Sequence, residues 1–376
     1  MTKGVLKLQE ILKLQKKIVP ELIEVLEKRY NILRTIFLNQ PIGRRVLANE
    51  LLLSERVVRT EVSFLKGQGL IQINTAGMNV TSAGEEIVDK LSEFIHEVRG
   101  LSEIEKGIKT ALNLKDVIVV PGDINVNQSV LKDIGKAASN YLRKIIKANS
   151  IIALTGGTSV KEVVEAFGSI RNVPNVLVVP ARGGLGRNVE TQANTLVALL
   201  AKKTNGTYKM LHVPESVSLK VLNSLKEEDS IKDVVDSIHN ADIFIYGVGD
   251  AFEMAKKRGL TEESVKKLTE LNAVGEAFGC YFDKNSIVVS STTAIGINID
   301  EARKINTHIV VAGGKNKVEP IIATQKNNEN GVLITDEATA RSILDILSSC
   351  NNLFVYKKIF IKGIFRRYLH YGKCSN

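Results

Sequence analysis

Between residues 5 and 37 apolar side chains recur at helical spacing: Leu8, Ile11, Ile18, Leu22 and Val25, then Ile23, Leu26, Tyr30, Leu33 and Phe37. Pro20 marks a helix start or a kink. The first stretch reads equally as an amphipathic helix docked on its own domain or as a self-associating seam. A short helical run, IGRRVLANELL, follows, then a polar break and SERVVRTEVSFLKGQGLI. Ser54 is a good N-cap and Gly67 or Gly69 a good stop, which predicts a helix over about residues 55–66. Val58, Val62 and Leu65 would face inward, leaving Arg56, Arg59, Thr60 and Ser63 on the opposite side. LIQIN then reads as a strand, TAGMN as a turn and NVTSAG as a return strand. Three helices and a hairpin in this order make a winged helix-turn-helix. From Ala83 to Glu105 the pattern is helical and acidic, as suits a linker helix.

Further along, short continuous apolar runs alternate with helical segments. The expected strands are 117–122, 151–157, 175–181, 208–214, 242–249, 308–314 and 331–336. Buried strands separated by helices indicate a parallel sheet covered on both faces, an open doubly wound α/β domain. The expected organisation is a DNA-binding unit over 1–82, a linker over 83–105, an effector-binding α/β domain over 106–349 and a basic aromatic tail over 350–376.

Charge refines this division. The chain of 376 residues carries a net charge of +10, but residues 1–80 hold 13 basic and 7 acidic side chains and residues 351–376 hold 6 basic and none acidic. The long middle is close to neutral, so each basic end requires its own explanation. At the N-terminal end the excess coincides with the winged helix. Arg56, Arg59, Thr60 and Ser63 are the expected base-edge readers, Arg44, Arg45 and Lys66 the expected phosphate contacts, and Ser54 the cap that holds the helix, all toward double-stranded operator DNA. The three cysteines, Cys280, Cys350 and Cys374, give neither a disulfide framework nor a zinc pattern, and a cytoplasmic location with no metal and no cofactor is expected. No apolar run is long enough to span a membrane, and no membrane partner is expected.

In such sheets ligands bind at the C-terminal strand ends. Gly156-Gly157-Thr158-Ser159 follows one strand and opens a helix, so amides and hydroxyls there could cradle a phosphate. Arg182-Gly183-Gly184, Gly247-Val248-Gly249-Asp250 and Gly313-Gly314-Lys315-Asn316-Lys317 end three more. Together they predict a pocket for an anionic small molecule. Neither GxxxxGK[ST] nor GxGxxG occurs, which disfavours nucleotide hydrolysis and dinucleotide binding. Asp250 and Glu276 could form an acid/base pair or accept sugar hydroxyls.

A winged helix followed by ALTGGTS, VPARGGLG, QANT, YGVGDA, EAFG and VVAGGKNK resembles the SorC family of bacterial sugar-responsive transcriptional regulators over about residues 18–347. The resemblance implies a repressor whose second domain is similar to sugar-phosphate isomerases and senses a phosphorylated sugar, fructose 1,6-bisphosphate in the nearest relatives. It places one phosphate on Thr155, Gly156, Gly157 and Thr158, adds Arg182, Gln192 and Lys317, and gives Glu276 to the sugar hydroxyls. Arg187 departs from the more often acidic position after GGLG, and the tail over 350–376 extends beyond the matching region. The implied protein is a homo-oligomer, dimer or tetramer, and not an enzyme. The alternative is a sugar-phosphate isomerase or deaminase fused to a DNA-binding domain; the sequence GVGDAFEMAKKR lacks the histidine that aminosugar-phosphate isomerases carry there.

Overall fold

The computed structural model describes residues 18–184, 188–213 and 219–349. The expectations for residues 5–17, Arg187 and the tail over 350–376 lie outside the described residues.

Helix α1 (Pro20–Asn39) opens with proline at its first position, where no amide is required. Helices α2 (Arg44–Glu50) and α3 (Glu55–Gly67) follow, then strands β1 (Ile71–Asn74) and β2 (Gly77–Val80). Ser54 Oγ accepts a hydrogen bond from the Val57 amide and so starts α3 as expected. Val58, Val62 and Leu65 enter one cluster with Ile32, Leu33 and Ile36 of α1 and Ile71 and Met78 of the hairpin. The return strand ends at Val80, short of NVTSAG, because Thr81 caps helix α4 (Ser82–Val98) through the Gly84 amide.

The expected single linker helix is two helices. Gly100, at φ 67°, breaks the run between α4 and α5 (Leu101–Leu112). Val88 and Ile95 of α4 join the winged-helix core, whereas Leu101, Ile104 and Ile108 of α5 join the core of the sheet. Each half of the acidic segment is therefore packed to a different body.

The remaining elements alternate. They are β3 (Asp116–Val120), α6 (Ser129–Ile145), β4 (Ile151–Leu154), α7 (Thr158–Ala166), β5 (Leu177–Pro180), α8 (Ala193–Thr204) and β6 (Thr207–Tyr208). Then come α9 (Leu219–Glu227), α10 (Asp229–His239), β7 (Ile243–Asp250), α11 (Ala251–Lys257), α12 (Glu262–Glu270), β8 (Ala273–Ala277), β9 (Cys280–Asp283) and β10 (Val288–Ser291). Last are α13 (Ile299–Ala302), β11 (Thr307–Val311), α14 (Val318–Gln325), β12 (Gly331–Asp336) and helix α15 over 337–349. The parallel strands lie in the order β6-β5-β4-β7-β11-β12-β3. Alternate residues of β7 serve opposite cores: Phe244 and Tyr246 face the side of α5, Ile243 and Ile245 the side of α6, α7 and α8. This is the doubly wound sheet expected.

Two departures bear on function. The strand expected over 208–214 stops at Tyr208. Beyond it, the Asn194 side chain takes over the pairing, accepting from the Leu211 amide at 3.1 Å and donating to the Leu211 carbonyl at 3.2 Å. An antiparallel arm, β8-β9-β10, was not anticipated; it pairs with the last residues of β7, Val248 to Asp250.

Candidate functional site

Adjacent strands β4 and β7 leave the sheet in opposite directions: the chain runs from β4 toward β5 and from β7 toward β11. A crevice opens at the carboxyl ends of strands where the order reverses in this way. Here it holds a cavity of 570 Å³, within the range of small-molecule sites. Its walls include Thr155, Gly156, Gly157, Thr158, Arg182, Gln192, Glu276 and Lys317. Asp250 is not among them.

The floor is the start of α7. Gly157 sits at φ 124°, a conformation that disfavours any side chain, and turns the chain from β4 into the helix. The first-turn amides after it have no intrahelical acceptor, and the helix dipole adds partial positive charge at this end. One wall is Arg182, largely buried, whose Nη2 donates to Thr292 Oγ1 at 2.6 Å. Its guanidinium occupies space that Gly279 leaves open, since a Cβ there would fall 1.5 Å from Arg182 Nη1. Arg182 also borders a smaller hollow of 310 Å³ on its other side, edged by His239 and Glu301. Lys317 is half-buried, and its ammonium pKa is lowered by burial first and by neighbouring Lys257 second.

Sequence reasoning missed part of the wall. Lys256, Lys257 and Arg258, at the end of α11, also line the cavity. In sequence, basic residues at a helix end read as partners of the dipole, and only the turn of α11 back over β7 brings them here. With Arg182 and Lys317 they make, among the described residues, five cationic side chains against two carboxylates, Glu253 and Glu276. Glu276, almost fully buried, is held by Arg258 Nη2 at 2.8 Å and by the Gly279 amide. Asp250 is engaged elsewhere: its Oδ1 accepts from the Phe252 and Glu253 amides at 2.9 Å and caps α11. The geometry therefore gives Asp250 a capping role at the start of α11.

At the other end of the chain, Arg44, Arg45, Ser54, Arg56, Arg59, Thr60, Ser63 and Lys66 are all exposed. Arg56, Arg59, Thr60 and Ser63 share the outer face of α3, while Arg45 forms an exposed ion pair with Glu55 at 3.2 Å. The inner face is clamped to α1. Glu61 accepts from Arg29 Nε at 2.9 Å and lies 3.0 Å from Lys28 Nζ, and the Arg29 guanidinium stacks on Phe64. Burial pushes the Glu61 carboxyl up, but the two cations outweigh it and hold it below the usual carboxylate range.

Comparison with known proteins assigns a family to each of the two domains. A DNA-binding family, the CggR N-terminal DNA-binding domain, matches residues 25–95, and a sugar-binding domain family, Sugar-bind, matches residues 96–345. The central glycolytic genes regulator of Bacillus subtilis is 42% identical over 337 residues, 90% of this chain and 99% of that protein. A SorC family transcriptional regulator from Enterococcus faecalis has a similar solved structure, with TM-score 0.61, 38% identity, and coverage of 64% of this chain and 99% of that one. The full-length sorbitol operon regulator SorC from Klebsiella pneumoniae shares the fold across 86% of this chain and 98% of its own, with TM-score 0.61 at 18% identity. Among the described residues no helix is long and apolar enough to cross a membrane. The chain belongs to the SorC family of transcriptional regulators, in which a DNA-binding domain precedes a sugar-binding domain.

Proposed function

We propose that this protein is a repressor of central glycolytic genes whose hold on operator DNA is set by a phosphorylated sugar, fructose 1,6-bisphosphate, bound in the 570 Å³ cavity. The observation that carries the reading is the convergence, among the described residues, of five cationic side chains on a strand-end crevice floored by a helix N-terminus. A neutral sugar has no use for that charge, whereas two phosphates match it. Gly156 to Thr158 take one phosphate, and Arg182, Lys257, Arg258 and Lys317 supply the remaining donors. Glu276, fixed by Arg258, keeps acceptor capacity for a sugar hydroxyl. On the DNA side, α3 enters the major groove with Arg56, Arg59, Thr60 and Ser63 toward base edges. Arg44, Arg45 and Lys66 flank it at phosphates. The protein acts as a homo-oligomer, so that paired heads read paired half-sites.

The role is regulatory. An isomerase requires a general base beside the sugar carbon, and the two carboxylates first considered for it are occupied by an arginine and by a helix cap. Thermal melting across a panel of sugars tests the proposal. Fructose 1,6-bisphosphate should stabilise most, by about 2.7 kcal/mol at a hundredfold excess over its dissociation constant. An equal shift with unphosphorylated fructose, or none with any sugar phosphate, would overturn it.

A further inference from the structure

The cavity and the recognition helix stand at opposite ends of a continuous run of packed elements. Helix α7, whose N-terminus floors the cavity, lies against α6 at close quarters. A Cβ at Gly135 of α6 would come within 2.6 Å of the Glu162 backbone on α7, so the two helix backbones are in close contact there. The opposite side of α6 meets α1. Asp133 of α6 pairs with Arg34 Nη2 of α1, with side chains only 11% and 12% exposed. Lys132 Nζ donates to Asn39 Oδ1 at 2.8 Å, and Lys136 stacks on Phe37. Five and six residues before Arg34 on the same helix, Arg29 and Lys28 hold Glu61 of α3.

A second connection starts from the other cationic loop. The Gly314 amide donates to Asp336 at 3.1 Å, next to Glu337; Arg99 then donates to Glu337 at 2.7 Å and reaches Glu27 of α1 at 3.4 Å. Both loops proposed to take phosphate thus converge on α1, which clamps the recognition helix.

We propose that α1 is the lever through which the sugar-phosphate cavity sets the position of α3, and that the buried Arg34–Asp133 pair is the latch joining lever to sensor. The assignment rests on the reading of the cavity as the effector site. The pair suits a latch because removing one partner leaves a largely buried charge unpaired, so the joint is costly to break. Burial is severe enough to push the Asp133 carboxyl up to about 6 despite Arg34 beside it. Arg34 and Asp133 are positioning residues: neither lines the cavity, and neither lies on α3.

Contiguity is not coupling, which must be measured as the effector's effect on DNA affinity. The full-length chain and the double variant Arg34→Met/Asp133→Leu, which removes both charges without leaving either buried alone, are compared. Operator DNA affinity is read by fluorescence anisotropy with and without saturating fructose 1,6-bisphosphate, and sugar binding by calorimetry. The unaltered chain should show a coupling within the usual range of about 5–150-fold. The double variant should bind the sugar phosphate and the DNA, yet its response should fall below about twofold. Arg34→Lys keeps the charge pair and should retain the response, which separates loss of the latch from loss of the fold. An unchanged response in the double variant, or a response lost equally in Arg34→Lys, overturns the latch alone. If the unaltered chain binds the sugar phosphate with no change in DNA affinity, the effector reading and the latch fall together.

Discussion

Substituting Lys317 with methionine should have opposite effects on stability and on function. The ammonium is half-buried in the cavity wall and forms no ion pair among the described residues; burial and then Lys257 depress its pKa, while Glu253 and Asp336 oppose them. Coulomb's law puts two unit charges 4 Å apart at about 4 kcal/mol for an effective dielectric of 20, the scale of attraction open to a bound phosphate. Part of the attraction is offset by stripping water from both ions, so the net loss should resemble that of a charged hydrogen bond, about 1.5–3 kcal/mol. That corresponds to roughly 10- to 150-fold weaker binding of fructose 1,6-bisphosphate. The ligand-free variant should gain about 0.5–2 kcal/mol, because a desolvated cation has been replaced by an apolar side chain of similar length. Calorimetric titration gives the affinity, and denaturant melts give the stability. Undiminished binding, or a ligand-free variant destabilised by more than about 1 kcal/mol, would refute the reasoning.

Three other outcomes follow from the same geometry. Arg59→Ala should weaken operator binding by about 1–3 kcal/mol if it reads a base, leaving sugar-phosphate binding unchanged in calorimetry. Gly279→Ala places a methyl on the Arg182 guanidinium at a backbone φ of 89°; it should lower chain stability by about 1–3 kcal/mol in melts and weaken sugar-phosphate binding with it. An anion stabilises charged Lys317, whose pKa in the free protein is depressed. The affinity should therefore be full while free Lys317 is protonated and should decline as pH rises through its depressed pKa, with proton uptake on binding visible as a buffer-dependent heat.

What could be read from the sequence was local. Ser54, the spacing of Val58, Val62 and Leu65, and the glycines after apolar runs each fix their own surroundings within a few residues; Ser54 caps its helix, the three apolar residues enter the core, and Gly156, Gly157, Gly183 and Gly184 line the cavity whereas Gly313 and Gly314 do not. What could not be read depends on distant pairing. The arm β8-β9-β10 contains Gly275 and Gly279 and lacks a continuous apolar run, and it forms only because the end of β7 offers an edge. The arm positions Glu276 and makes room for Arg182. Lys257 and Arg258 are not singled out in the sequence, because only the fold brings the end of their helix to the crevice. Asp250, expected as a ligand group in a glycine-rich turn, also serves as the cap that the helix starting at Ala251 requires. The tract over 83–105 read as one linker because its composition is uniform, but Gly100 divides it between two cores.

The central claim is that a phosphorylated sugar in the strand-end cavity changes the affinity of the winged helix for DNA. It is tested most directly by titrating fructose 1,6-bisphosphate into the protein bound to fluorescent operator DNA, with unphosphorylated fructose and the Lys317→Met variant alongside. The account predicts a change in operator affinity of at least about fivefold with the bisphosphate, none with fructose, and a response in the variant that requires correspondingly more ligand. An operator affinity unmoved by the bisphosphate, at concentrations shown by thermal melting to saturate the protein, would contradict it.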